Sequence, residues 1–111
     1  MRGVRLTRPL TLESAVRVAD GAGGFAEVWQ ALGTVWAEVR AGSGREGAAL
    51  GAAVPVQALR IIVRGLPQGH VMRPAAGMRF RDGARLYRLL AVTEADAGGR
   101  YLVCAAEEVG A

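Results

Sequence analysis

The side chains able to do bond chemistry are few and far apart. The chain has one histidine, His70, one cysteine, Cys104, and no asparagine or lysine, and its ten acids are scattered mostly among fourteen arginines. General acid–base or nucleophilic catalysis needs such groups within hydrogen-bond reach of one another, and no spacing here promises that. His70 stands in a Gly-His-Val turn with no visible partner and reads as an exposed loop imidazole. Cys104 lies in an apolar segment and reads as a buried hydrophobe; a lone cysteine forms neither an intrachain disulfide nor a cysteine-based metal cluster. The Gly21–Gly24 run lacks the Lys-Ser/Thr that a phosphate-binding loop requires, so it reads as a turn. The sequence therefore predicts a protein that is not an enzyme and has no cofactor, no metal site and no catalytic residues.

What remains is chemistry of contact. All positive charge comes from arginine, and the formal net charge is +4. Arg60, Arg64, Arg73, Arg79, Arg81, Arg85 and Arg88 face a single acid, Asp82, within their stretch, which suits a polyanion or an acidic protein surface, or simply solvates an outer strand face. Arg60 and Arg64 are the candidates for DNA or partner contact. Ser43, Gly44, Arg45 and Glu46 open a stretch, 41–53, made of Ala, Gly, Ser, one Leu and one Arg-Glu pair, with too little apolar bulk to bury. A structureless connection that long in so small a chain is typically functional or disordered, so this loop is expected to project and to contact another subunit or a phosphate backbone. Trp29 and Trp36 could stack bases on a basic β-surface, but six aromatics are few for that purpose, and core or interface packing is the favoured role.

These groups must be held by a scaffold, and 111 residues allow one domain, 1–111, with one modest core. Aromatics are only 5% of the chain, so the core should lean on Val, Leu and Ile, which favours strands. Leu10, Leu12, Val16 and Val18 alternate with Thr11, Glu13 and Arg17, the clearest strand pattern. Asp20 to Gly24 can reverse the chain into Phe25–Gln30, with a bend or bulge at Gly33 before Thr34–Arg40; Phe25, Val28, Trp29 and Leu32 also fall at helical spacing, leaving a helix over that segment as the alternative. Val56–Arg64 places Leu59, Ile61 and Val63 on one face and Arg60, Ile62 and Arg64 on the other. Met78–Arg81 and Ala84–Thr93 flank Asp82-Gly83, a pair that favours a type I′ hairpin, and a last hairpin leads into Arg100–Glu107. Six or seven short strands with no βαβ unit predict an all-β fold, an antiparallel barrel or sandwich. No apolar run nears the roughly 18 residues of a membrane span, and the N-terminus lacks a signal-peptide pattern, so synthesis in the cytoplasm is expected.

Almost the whole chain resembles the small head-tail adaptor or head-completion ("stopper") proteins of long-tailed bacteriophages and phage-derived gene transfer agents. The marks are Arg8-Pro9-Leu10-Thr11-Leu12-Glu13, Asp20 with Gly23-Gly24 and Trp29, Thr34-Val35-Trp36-Ala37-Glu38-Val39, Ser43-Gly44-Arg45-Glu46, and Met78-Arg79-Phe80 with Asp82-Gly83 and the hairpin to Cys104. The resemblance implies a homo-oligomeric ring of sixfold or twelvefold symmetry, set between the portal or adaptor on the head side and the tail terminator or tail tube on the other. Such a ring closes the DNA-filled head, passes double-stranded DNA on ejection, is assembled in the bacterial cytoplasm and ends in the particle. It also implies a small antiparallel β-barrel with one long projecting loop, 41–53, that reaches toward neighbours or the central channel. Because ordering so glycine-rich a loop is costly in entropy, the loop is expected to gain order only on ring assembly, leaving the isolated chain monomeric. The competing reading is a stand-alone β-barrel that binds nucleic acid as a monomer, in a salt-dependent way.

Overall fold

The computed structural model describes residues 3–42 and 57–109. Six antiparallel strands, β1 (Arg8–Ala19), β2 (Phe25–Ala41), β3 (Gln57–Arg64), β4 (Arg79–Asp82), β5 (Arg85–Glu94) and β6 (Tyr101–Val109), close into a barrel in the order β1-β2-β3-β6-β5-β4. The all-β expectation holds, and the strand count falls at its lower bound because Phe25–Gln30 and Thr34–Arg40 belong to one long strand. The helical alternative over Phe25–Leu32 fails: Phe25 to Ala31 pair with Ala19 to Glu13, and backbone groups engaged in a ladder are not available to a helix. Ser43, Gly44, Arg45, Glu46 and most of the 41–53 stretch lie outside the described residues.

Period-2 alternation fills the barrel. Leu10 and Leu12 from β1, Ala37 from β2, Leu59, Ile61 and Val63 from β3, Phe80 from β4, Tyr87 and Leu89 from β5, and Leu102, Cys104 and Ala106 from β6 form one buried cluster. The β3 face that the sequence assigned to Leu59, Ile61 and Val63 is the inward one. Ile62, placed on the outer face of β3 with Arg60 and Arg64, is nevertheless buried.

Two bulges adjust the walls. Leu12 pairs with Gly33 but Glu13 pairs with Ala31, so Leu32 has no opposite residue, and the irregularity falls beside the glycine where the sequence placed it. A second lies on β5, where Leu89 pairs with Ala106 and Ala91 with Ala105; the unmatched Leu90 turns to solvent and Val92 returns to the core.

The β4–β5 turn differs from expectation by one residue. Asp82 pairs with Arg85, so the central residues are Gly83 and Ala84, and only Gly83 has positive φ (63°). That is the signature of type II′ rather than type I′, which needs positive φ at both positions and would strain Ala84.

At the other end of the barrel the chain after β3 passes so close to the β5–β6 connection that Gly65 donates its N–H to Arg100 C=O at 2.7 Å. A Cβ on Gly65 would lie 1.9 Å from the Gly99 carbonyl oxygen. Gly65→Ala is expected to lose about 3 kcal/mol in urea denaturation, by forcing two backbones apart. Gly83→Ala, strained only by its φ, should lose about 1 kcal/mol. Equal losses for the two variants would contradict this account of the close approach.

Candidate functional site

The strand ladders place two surfaces on the barrel exterior. The first begins where β1 and β2 leave the barrel. β1 pairs with β4 only through Thr11↔Arg81, Leu12↔Phe80 and Glu13↔Arg79, and β2 meets β3 only from Ala37 onward. Beyond those limits Ser14–Ala19 and Phe25–Gln30 run on as a two-stranded arm, paired with each other alone. Its tip is an Asx-type turn in which Asp20 Oδ1 accepts the N–H groups of Ala22 (2.8 Å) and Gly24 (3.1 Å). These two bonds hold the Asp20 carboxyl below its ordinary pKa.

The arm alters the fate of residues that the sequence placed on one strand face with Leu10 and Leu12. Val16 and Val18 do share a face with Leu10 and Leu12, but that face runs past the barrel rim, leaving them 37% and 45% exposed; Val28, opposite Val16, is 49% exposed. On the arm's other face the Arg17 guanidinium lies 4.5 Å from the Phe25 ring centroid.

The root of the arm is pinned by one carboxylate. Glu13 is 7% exposed and accepts from Arg79 Nε at 2.6 Å and Arg81 Nε at 3.0 Å, while the Arg79 guanidinium stacks over Trp29 at 4.0 Å. Burial alone would raise the Glu13 pKa, but the two arginine hydrogen bonds outweigh it and hold the carboxyl below the usual carboxylate value. Trp29 is thus half-buried on the outer wall, not in the core. Trp36 is 55% exposed, because its neighbours Val35 and Ala37 face inward and the alternation turns the indole out. The core role fails for both, and Phe80 and Tyr87 are the aromatics that fill the barrel.

The second surface is a groove of about 510 Å³ beside the exposed β2 edge, lined by Leu6, Val35, Trp36, Leu66 and Met72, with Arg64 and His70 at polar positions. His70 is exposed, as expected, and its Nδ1 accepts the Met72 N–H at 3.0 Å.

The basic third of the chain is largely neutralised by acids distant in sequence. Besides the Glu13 fork, Arg85 makes a two-pronged pair with Glu108 (both bonds 2.8 Å), Arg88 pairs with Glu107, and Arg8 with Asp82. Arg60 and Arg64 are exposed on the outer face of β3 and form no ion pair with any described residue. They lie on one strand face, but nothing among the described residues brings them to the 43–46 segment. The arm's apolar face was missed in the sequence because alternation reports which side a residue faces and not whether a wall continues behind it; the short β1–β4 pairing that decides this is a tertiary fact.

Among the described residues no group of three or more His, Cys, Asp or Glu could hold a metal. Cys104 is fully buried, and burial pushes its thiol up to about 12 despite the opposing influence of Arg73. The fold is thus a small closed β-barrel with an exposed apolar arm face and an apolar groove on its exterior. Residues 1–109 match the phage head completion proteins, and the chain belongs to that family. It is therefore a structural component of the virion. The chain is also similar to one in the virion of a native gene transfer agent particle, with 55% identity, 96% of this chain and 98% of that one covered, and a TM-score of 0.77. A protein of Shigella flexneri 2a solved in solution, 24% identical over 97% of this chain and 96% of its own, has the same fold at a TM-score of 0.69. No curated protein matches.

Two outcomes follow. Glu13 has a depressed folded-state pKa, so its contribution is present above the unfolded value of 4.5 and is lost as pH falls through the lower folded value. Glu13→Gln should therefore cost about 1–2 kcal/mol at pH 7, and the gap to wild type should narrow below pH 4.5, as read from urea midpoints across pH. Cys104 should resist maleimide in the native protein and react on denaturation; labelling of the folded chain at the rate of a free thiol would contradict its burial.

Proposed function

We propose that this chain is the head-completion, or stopper, component of a phage-like particle of the gene transfer agent type. Copies form a ring between the portal-side adaptor and the tail, close the DNA-filled head and let DNA pass on ejection. The observation that carries the reading is the 55% identity, over nearly the whole of both chains, to a component of a native gene transfer agent virion, together with family membership across residues 1–109. Outward-facing contact surfaces on a closed barrel support an assembly role.

Within this reading, Ser43, Gly44, Arg45 and Glu46 contact neighbouring subunits or the channel, and Arg60 and Arg64 face DNA or acidic neighbours. Ordering a glycine-rich loop costs on the order of 1–2 kcal/mol per residue, so several copies meeting at the ring are needed to fix it. A monomeric nucleic-acid binder has less support, because Arg79, Arg81, Arg85 and Arg88 are already paired with acids.

Particles from a producer lacking the gene should lose packaged DNA and fail to join tails. Deleting residues 42–52 should reproduce the DNA loss. Normal closure and tailing of the deletion particles would remove the loop from the gate. Charge reversal at Arg45, Arg60 and Arg64, scored separately for DNA retention and tail attachment, should impair one or the other. Three wild-type scores would eliminate these contacts.

A further inference from the structure

The barrel leaves one part of its sheet uncovered. Around the ring each strand is paired on both sides, but the arm has an open outer edge on each strand, and unpaired backbone groups on an apolar ribbon invite pairing or packing by another chain. The arm face continuous with the barrel interior carries Ser14, Val16, Val18, Ala26, Val28 and Gln30, with no charge at all. The loop after β3 lines a hollow with Ser14 and Leu32 at the root of this face, whereas Val16, Val18 and Val28 beyond it stand exposed.

The complement to this face is present on the same chain. The Trp36 groove has apolar walls with the Arg64 guanidinium at its rim, and its own strand edge, β2 before Ala37, is also unpaired with β3. The arm's acids are Asp20, exposed at its tip, and Glu27, which pairs across the strands with Arg17 on the face opposite Val16, Val18 and Val28. An apolar ribbon with an acidic tip thus meets an apolar groove with Arg64 at its rim. The arm is a paired hairpin directed away from the barrel, so the match is made between molecules. A surface and its complement at different places on one chain generate a head-to-tail contact, which closes into a ring when the rotation permits.

We propose that the arm face formed by Val16, Val18 and Val28 seats in the Trp36 groove of a second copy of this chain. This contact, which rests on the ring reading above, links each subunit to the next. The arm is the inserted element, and the groove, with Trp36 as its aromatic anchor, is the receptor.

Cysteine cross-linking in purified particles tests the contact with little background, because Cys104 is buried. Val18→Cys and Trp36→Cys are both exposed substitutions that spare the core. With a short bis-maleimide, particles carrying both should yield a ladder of dimer, trimer and higher species of this chain, and each single variant should stay monomeric. Three results overturn the inference: dimers from Val18→Cys alone, which would mean arm-to-arm contact; cross-links from the arm to a different particle protein; or no cross-link in particles that contain the doubly substituted chain. Absence of the wild-type chain from purified particles would instead overturn the head-completion reading. As an independent measure, Val28→Asp and Trp36→Glu should each fold with the wild-type circular dichroism spectrum yet be incorporated into particles at least tenfold less; wild-type incorporation of both would overturn the contact.

Discussion

Closure of this barrel depends on a seam only three residue pairs long. β1 meets β4 through Thr11, Leu12 and Glu13, and at that point each face of the strand has a distinct task. Leu12 and its partner Phe80 drive inward and are fully buried, while Glu13 on the outside holds both Arg79 and Arg81. A short ladder alone would be a weak place in an otherwise continuous sheet. The forked carboxylate, desolvated and fully hydrogen-bonded, ties β4 to β1 by charge-assisted bonds that act across the same three residues. Trp29 stacked on Arg79 extends the tie into β2, so the seam, the bulge at Leu32 and the root of the arm form one connected unit.

That unit explains how so small a chain can both close a barrel and extend a ribbon beyond it. A strand that continued in register would keep its inward face over the core. The seam instead ends at Glu13, so the same alternation that buries Leu10 and Leu12 exposes Val16 and Val18. In a monomer this is an unfavourable arrangement of apolar surface. In the proposed ring, the surface left uncovered in one molecule would be covered by the next.

Electrostatics follows the same division between inside the molecule and between molecules. Most of the arginines clustered from Arg60 to Arg88 in sequence find acids on β1 and β6, and these pairs knit strands together across the barrel wall. The exposed guanidinium groups of Arg60 and Arg64 occupy the outer face of β3, where the only neighbouring apolar side chain of that strand, Ile62, is buried. In this chain of the head completion family, unpaired positive charge among the described residues is thus set less by the number of arginines than by which of them the fold brings to an acid.

Much of this was legible in the residues alone. Period-2 patterning separated the two faces of β1 and β3, Gly33 marked its bulge, the glycine-rich Asp20–Gly24 segment marked its turn, and the run of motifs from Arg8 to Cys104 identified the family. These are local properties: side-chain alternation and backbone permissiveness act over a few residues and are therefore written in the order of the chain. Three features were decided only in three dimensions. Whether Val16 and Val18 are core or surface depends on where β4 stops, whether Trp36 is buried depends on what covers the outer wall, and whether the arginines are free depends on acids as far away as Glu13 and Glu108. Burial and charge pairing are relations between segments distant in sequence, and the closed sheet brings those segments together.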